Sequence, residues 1–272
     1  MEYNCYDISA GGYTAQLFTY LLSSSPEIGI EKRPLVIICP GGGYILTSDR
    51  ESEPVAMRFL AMGMHAFVLR YSVEPARFPV ALSQLAKSVA LARENAELWH
   101  IDPDKIVVMG FSAGGHLAAS LGVFWGESFL HSVTGLSAGQ IKPNGMALCY
   151  PVLTASEYCH AGSFEALLGE ASGDPEKRDR VSVEKQANPQ TPPAFIWHTY
   201  EDLSVPVENS LLMMDALRKN NIPFEAHIYP KGRHGLSLAT ALTEKAEEPG
   251  SMTGNPEVSG WAEMCARWIF DL

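Results

Sequence analysis

A serine flanked by glycines, Gly110-Phe111-Ser112-Ala113-Gly114, fits the pattern G-x-S-x-G. It follows an apolar run at residues 106–109 that predicts a strand, and it precedes small residues that predict a helix. On such a turn, glycines avoid collisions with neighbouring backbone, and the serine hydroxyl is lifted clear of the sheet. The helix N-terminus favours developing negative charge. The pattern predicts that Ser112 is a nucleophile; an ordinary strand-to-helix loop is the alternative.

A second glycine cluster, Pro40-Gly41-Gly42-Gly43-Tyr44, follows an apolar run that ends at Cys39. Three consecutive glycines leave backbone N–H groups free to point into a cavity, as an oxyanion hole requires. We expect the donors to be the N–H groups of Gly42 or Gly43 and of Ala113, the residue after the nucleophile. The alternatives are a plain glycine-rich turn and a phosphate loop, but the sequence patterns of phosphate loops are missing here.

A serine nucleophile needs a base, and four histidines lie usefully downstream of Ser112: His160, His198, His227 and His234. His227 lies inside a predicted strand, where a structural role is favoured. His198 follows a strand but precedes the best acid. His234 lies between glycines in a predicted loop, from which an imidazole can reach across to a hydroxyl. We predict that His234 is the base.

The acid that orients the base is expected between the serine and the histidine in the chain. Asp202 lies five residues beyond Trp197, at the carboxyl end of a predicted strand. Functional groups gather at that end of open α/β sheets. We predict that Asp202 is the acid, with the adjacent Glu201 as the alternative. Asp215 falls within a predicted helix and is expected to be a solvated charge.

The elements that must position these residues are short apolar runs alternating with longer helical patterns. This alternation predicts βαβ units and a mostly parallel sheet with helices on both faces. The predicted strands cover residues 16–22, 35–39, 66–69, 106–109, 146–149, 194–197 and 224–229. The predicted helices cover residues 82–99, 115–125, 210–220 and 261–269. Residues 126–190 are the least regular and are read as an excursion over the sheet or a partial lid. We predict one domain over residues 1–272.

The composition of the 272-residue chain, 46% hydrophobic and 19% charged, is typical of a globular protein. The formal net charge of −11 argues against a nucleic-acid surface. Five scattered cysteines without a C-x-x-C pair favour reduced thiols over a disulfide framework or a zinc site. The N-terminal residues lack a signal-peptide pattern, and no apolar stretch approaches the length of a membrane span. We expect a cytoplasmic protein that binds neither membrane nor metal.

These motifs resemble those of α/β-hydrolase esterases related to the hormone-sensitive-lipase group, and more narrowly small bacterial acetyl-xylan-esterase-like carboxylesterases. The resemblance extends from about residue 34 to residue 234 and includes residues 50–56, 69–73, 198–206 and 232–235 besides the two glycine motifs. It implies an α/β-hydrolase fold with little or no cap. It also implies a serine carboxylesterase with Ser112, Asp202 and His234 as catalytic triad and without a cofactor. Pro40 stands where the lipase-like pattern has histidine, which leaves the substrate preference open.

The resemblance implies a small-molecule or oligosaccharide ester as substrate, with an acetyl ester on a sugar or xylo-oligosaccharide as the favoured hypothesis. An arylformamidase-like amidase or peptidase is the alternative among hydrolases. A ligand-binding protein without catalysis is the alternative outside enzymes, but the presence of all three triad residue types argues against it. An exposed apolar final helix or edge strand would permit a homodimer.

Five further residues have both a functional and a structural interpretation. Tyr44 and Trp197 are candidates to line the substrate pocket, with core packing as the alternative. Arg50 and Glu51 could touch a polar substrate, although solvated surface charges are the default expectation. His116, four residues after Ser112, is expected to pack or to form hydrogen bonds rather than to catalyse.

Overall fold

Eight strands form one sheet in the computed structural model, which describes residues 1–244 and 255–272. The strands are β1 (Glu2–Ala10), β2 (Tyr13–Leu21), β3 (Arg33–Cys39), β4 (His65–Arg70), β5 (Ile101–Phe111), β6 (Gly145–Cys149), β7 (Ala194–Thr199) and β8 (Phe224–Tyr229). Their order in the sheet is β1-β2-β4-β3-β5-β6-β7-β8. β2 runs antiparallel to β1 and β4, and all other neighbours run parallel. The predicted mostly parallel sheet is confirmed.

The central strands are mostly apolar because both of their faces are covered. Every residue of β3, β6 and β7 is buried. β8 is only partly buried, as its predicted place near an edge implies. Continuous apolar runs are typical of parallel strands that lie between two layers of helices.

The helices are α1 (Glu53–Ala61), α2 (Val80–Glu94), α3 (Ala113–Phe124), α4 (Ser128–Thr134), α5 (Ala138–Ile141), α6 (Ala161–Leu168), α7 (Pro175–Val181), α8 (Glu208–Lys219) and α9 (Trp261–Phe270). One apolar core contains side chains of α2, α3 and α8, and a second core contains side chains of α1 and α9. The two cores lie on opposite faces of the sheet, since alternate residues of β3 belong to each. None of the described helices is long and apolar enough to cross a membrane.

One strand was missing from the prediction, and the end of one predicted helix was wrong. β1 was not expected, although Gly11 and Gly12 both have positive φ and form the two-residue turn typical of a tight hairpin. The hairpin was missed because β1 is mostly exposed and lacks an apolar run. α2 ends at Glu94 rather than near Trp99, because the Asn95 side chain caps the Leu91 carbonyl and the chain then turns into β5.

Residues 126–190, predicted to be irregular, contain β6 between two pairs of short helices. α4 and α5 precede β6, and α6 and α7 follow it. α6 begins beside the glycine cluster, since a Cβ atom on Gly43 would lie 3.7 Å from Ser163 Oγ in its first turn. This second part of the segment therefore borders the predicted site.

The strand register brings the carboxyl ends of five strands to one edge. Cys39 of β3 pairs with Gly110 of β5, and Phe111 pairs with Cys149 of β6. Cys149 in turn pairs with Trp197 of β7, and Thr199 pairs with Tyr229 of β8. The glycine cluster, Ser112, Asp202 and His234 each follow one of these strands, so the sheet delivers them to the same edge.

Candidate active site

The backbone of Ser112 is held in a strained conformation between β5 and α3, with φ 52° and ψ −119°. Only glycine fits at the two flanking positions. A Cβ atom on Gly110 would lie 2.0 Å from the carbonyl oxygen of Gly114, and one on Gly114 would lie 2.0 Å from that of Cys39. Strain of this kind persists only where the surroundings enforce it, and it is concentrated at functional sites.

Hydrogen bonds to the end of β6 and to the loop after it fix the turn. The Ser112 N–H donates to the Cys149 carbonyl at 3.0 Å, and the Val152 N–H donates to the Ser112 carbonyl at 3.0 Å. Ser112 is 8% exposed, so it is nearly buried rather than placed on an open surface.

The structure brings Ser112, His234 and Asp202 together in one hydrogen-bonded row. Nε2 of His234 lies 2.8 Å from Ser112 Oγ, and Nδ1 lies 2.6 Å from Asp202 Oδ2. Because a carboxylate only accepts, Nδ1 carries the hydrogen and Nε2 is left to accept the serine proton. The arrangement matches that of a nucleophile, a general base and an orienting acid.

The Asp202 carboxylate receives four polar contacts. Oδ1 accepts the N–H groups of Ser204 at 3.0 Å and Val205 at 2.9 Å, and His198 Nε2 lies 3.3 Å from Oδ2 on the side away from solvent. Burial by itself would raise the pKa of Asp202. Hydrogen bonds from His198, His234 and Val205, together with the charge of His234, outweigh it and lower the pKa well below its usual range. The group is therefore ionised at neutral pH.

The alternatives to these residues lie elsewhere. Glu201 is exposed, and its carboxylate accepts the Gly232 N–H at 3.4 Å instead of contacting His234. Asp215 forms an exposed ion pair with Lys219. His227 lies on β8 and pairs with Glu225 at 2.8 Å.

His160 caps the N-terminus of α6, where its Nδ1 lies 2.9 Å from Ser163 Oγ. Burial lowers its pKa, and the charge of His234 adds to this shift while that of Asp202 opposes it. His160 therefore interacts electrostatically with His234 and Asp202, although it is not hydrogen-bonded to either of them.

The glycine cluster passes directly beside the serine. A Cβ atom on Gly41 would lie 3.0 Å from Ser112 Cβ and 2.7 Å from Glu51 Oε2. The Gly41 N–H is engaged, since it donates to that Glu51 oxygen at 2.8 Å. This leaves Gly42 and Gly43 as the predicted donors of the loop.

Gly42 and Gly43 have φ values of 130° and 65°, which only glycine adopts readily. Within the described ranges, the N–H groups of Gly42, Gly43 and Ala113 donate no hydrogen bond to the protein. Ala113 is the first residue of α3, where N–H groups have no partner inside the helix. All three predicted donors thus remain candidates for an oxyanion hole.

Tyr44 and Trp197 were candidates to line the substrate pocket, with core packing as the alternative, and the structure places both in the core. Tyr44 is 3% exposed, and its hydroxyl donates to His116 Nδ1 at 2.8 Å. Trp197 is fully buried in the middle of the sheet and stacks on Trp261 of α9, with ring centres 5.3 Å apart. Tyr44 belongs to the first apolar core and Trp197 to the second.

His116 behaves as expected. Its Nε2 lies 2.7 Å from the Val181 carbonyl, and burial lowers its pKa to about 4, so the ring is neutral. It joins the loop of Tyr44 to the end of α7.

Arg50 and Glu51 are not the solvated charges that were expected. Arg50 donates to the carbonyls of Gly235 at 2.6 Å and Thr243 at 2.8 Å, which ties down the chain just after His234. Glu51 is 4% exposed. The burial of Glu51 and the contacts of Arg50 could not be predicted from the neighbouring sequence, because most of the partners are distant in the chain.

Among the described residues there is no cluster of three or more potential metal ligands.

Known proteins resemble this chain in sequence. The BD-FAE family model matches residues 23–217. Endo-1,4-beta-xylanase B of Butyrivibrio fibrisolvens is 40% identical over 88% of this chain, and an acetylxylan esterase of Xylanibacter ruminicola is 29% identical over 75% of it. The chain spans only 37% and 41% of the length of these two curated relatives.

Solved structures match over nearly the whole chain. An acetyl ester-xyloside bifunctional hydrolase from Caldicellulosiruptor lactoaceticus superposes with a TM-score of 0.80 at 38% identity, covering 95% of this chain and 88% of that one. A carboxylesterase from Lactobacillus plantarum superposes with a TM-score of 0.87 at 29% identity, covering 100% and 98%. The resemblance to carboxylesterases inferred from the motifs is confirmed. The chain therefore belongs to the BD-FAE family and has the α/β-hydrolase fold.

Proposed function

We propose that the chain is a serine carboxylesterase that hydrolyses short-chain esters, in particular acetyl esters on sugars or xylo-oligosaccharides. The observation that carries the proposal is the row formed by Ser112, His234 and Asp202, with His234 Nε2 2.8 Å from the serine oxygen. This distance lies within the range in which a base can take the serine proton.

In the first step, His234 Nε2 takes the hydroxyl proton while Ser112 Oγ attacks the ester carbonyl carbon. The imidazole becomes positively charged, and the buried Asp202 carboxylate stabilises that charge at 2.6 Å. His234 then returns the proton to the leaving alcohol. A water molecule, activated by the same imidazole, releases the acid from Ser112.

The negative oxygen of each tetrahedral intermediate needs donors that are already in place. The N–H groups of Gly42 or Gly43 and Ala113 have this role in the proposal, because they are free within the described chain. Ala113 directly follows Ser112, and Gly42 directly follows Gly41, which packs against Ser112. Losing one such donor typically costs about 3–4 kcal/mol of transition-state stabilisation.

The proposed substrate class is supported by the relatives rather than by the geometry of Ser112, His234 and Asp202. One relative is an acetylxylan esterase and another is an acetyl ester-xyloside bifunctional hydrolase. The triad chemistry serves many esters, so the alcohol must be identified by assay.

Purified protein tests the proposal with three substrates: p-nitrophenyl acetate, p-nitroacetanilide and acetylated xylo-oligosaccharides. We expect hydrolysis of the aryl ester and acetate release from the oligosaccharides, with the anilide cleaved at least 100-fold more slowly. Ser112→Ala should abolish activity, whereas Ser132→Ala on α4 should retain it. Wild-type inactivity on every ester, or an active Ser112→Ala variant, contradicts the proposal; preferential cleavage of the anilide would favour the amidase alternative.

A further inference from the structure

A buried carboxylate lies behind the glycine cluster. Glu51 is 4% exposed, and both of its oxygens accept hydrogen bonds: Oε2 from the Gly41 N–H at 2.8 Å, and Oε1 from the Tyr150 hydroxyl at 2.6 Å. None of the ion pairs in the described part of the chain includes Glu51. A buried carboxylate without a counter-charge is unfavourable unless its hydrogen bonds offset the lost hydration. The two short hydrogen bonds therefore stabilise the Glu51 carboxylate in its buried position.

The contact to Gly41 fixes the loop where it meets the nucleophile. Gly41 is packed between Glu51 and Ser112, since a Cβ atom there would lie 2.7 Å from the Glu51 oxygen and 3.0 Å from Ser112 Cβ. The next two residues, Gly42 and Gly43, carry the free N–H groups. Holding Gly41 from behind thus determines where those donors lie relative to the serine.

The contact to Tyr150 reaches the base. The Tyr150 hydroxyl also accepts the N–H of Ser237, three residues after His234, at 2.8 Å. Its ring lies edge-to-face on the His234 imidazole, with centres 5.2 Å apart. Burial raises the pKa of Tyr150 well above its ordinary value, and the charge of Glu51 adds to this shift. The hydroxyl therefore stays protonated and donates a hydrogen bond to Glu51.

We infer that Glu51 is a positioning residue. It holds the glycine cluster and the loop that carries His234 in place relative to Ser112. The inference rests on the proposed function, because it gives Glu51 a role in that reaction. It acts through Gly41 on one side and through Tyr150 on the other, and it does not touch the substrate.

Two substitutions at Glu51 separate its contacts. Glu51→Gln keeps an oxygen for the Gly41 N–H, but its amide then points a donor at Tyr150, whose own proton must rotate away. Glu51→Ala loses both contacts. We expect kcat on p-nitrophenyl acetate to fall about 10-fold for Glu51→Gln and about 100-fold or more for Glu51→Ala, because small displacements of catalytic groups have effects of this size. KM should stay within about 3-fold.

Three further measurements distinguish positioning from a merely structural role. Tyr150→Phe keeps the ring on His234 but removes the hydroxyl, and combining it with Glu51→Gln should reduce kcat by less than the product of the single effects. Affinity for a boronic acid, which forms a tetrahedral adduct with the serine, should weaken in proportion to kcat/KM. Glu53→Gln is the matched control. Glu53 lies outside the site and accepts a hydrogen bond from the Tyr20 hydroxyl at 3.1 Å. The activity of this variant should stay within 2-fold of wild type.

All variants are assayed well below their unfolding temperatures. An active wild type with full kcat in Glu51→Gln and Tyr150→Phe would overturn the inference and leave the proposed function standing. Lowered thermal stability with unchanged kcat, or a loss confined to KM, would overturn it equally. If Glu51→Ala does not fold, the other two variants decide. An inactive wild type with unreactive Ser112 would instead refute the proposed function, and the inference with it.

Discussion

Nε2 of His198 lies 3.3 Å from Oδ2 of Asp202, and neither side chain is exposed to solvent. The His198 ring is fixed at both nitrogens, because Nδ1 lies 2.8 Å from Ser210 Oγ and Nε2 lies 2.9 Å from the Val205 carbonyl. Because a carbonyl only accepts, Nε2 of His198 carries the hydrogen, and the Ser210 hydroxyl donates to Nδ1. The Asp202 carboxylate is thus held between two imidazoles, one from the strand β7 and one from His234.

Replacing His198 with asparagine should weaken catalysis without abolishing it. We expect kcat/KM for p-nitrophenyl acetate to fall about 10-fold, since one charge-assisted contact to Asp202 is lost while the contact to His234 remains. Steady-state kinetics at neutral pH measure the change. His227→Asn is the control, because His227 also pairs with a carboxylate but lies on β8 outside the row. Equal activity of the two variants would contradict this role of His198.

The two loop glycines should respond differently to alanine. A Cβ atom on Gly42 would lie 2.2 Å from the Leu46 carbonyl oxygen, whereas one on Gly43 would have its nearest neighbour at 3.7 Å. We expect Gly42→Ala to lower kcat about 100-fold or more, because the loop must move, and Gly43→Ala to lower it less. The alanine at position 43 still adopts positive φ, which costs about 1 kcal/mol.

Gly135→Ala is the matched control for that pair. Gly135 also has positive φ, at the end of α4, and no atom lies near its Cβ position. Thermal unfolding should show a small loss of stability, with kcat unchanged. Comparable kcat losses in the variants at positions 42, 43 and 135 would show that backbone strain, rather than the oxyanion loop, explains the result.

Stability should decrease on the acid side because of buried neutral histidines. Burial lowers the pKa of His65 to about 4, against the ordinary value near 6.5 that applies when the chain is unfolded. Below pH 6.5 the unfolded chain binds a proton that the folded chain does not, so the free energy of unfolding falls until about pH 4. At pH 5 the loss from His65 is about 2 kcal/mol. His116 acts in the same direction.

Urea denaturation of wild type and His65→Asn at pH 7.5 and pH 5 measures this effect. Asparagine can still accept the Leu22 N–H that His65 Nδ1 accepts at 3.1 Å, but it does not titrate. We expect the variant to be less stable at pH 7.5 and to lose about 2 kcal/mol less than wild type on acidification. An identical pH dependence in both proteins would refute the assignment.

The positions of Ser112 and His234 could be predicted because local signals define them. A strand, a tight turn and a helix require glycines at fixed places, and a loop at the end of the last strand is needed to carry a base across the sheet. Choosing Asp202 over Glu201 depended on strand boundaries alone, and the structure places Asp202 against His234.

Burial of polar and aromatic residues could not be predicted in the same way. Glu51 is buried because of Tyr150, which lies 99 residues away in the chain. Trp197 is buried because α9 covers its strand, and Tyr44 because its hydroxyl meets His116 of α3. Each of these outcomes depends on which helix covers which face of the sheet. Sequence periodicity indicates that a face is apolar, but it does not name the covering element.

We propose that Ser112 is a nucleophile activated by His234, and labelling with a fluorophosphonate probe tests this activation at the serine itself. Mass spectrometry of the digested protein locates the label, and its rate of appearance is compared with that in His234→Ala. We expect a single adduct on Ser112 that forms at least 1000-fold more slowly in the variant. No adduct on Ser112, or labelling that proceeds equally fast without His234, would contradict it.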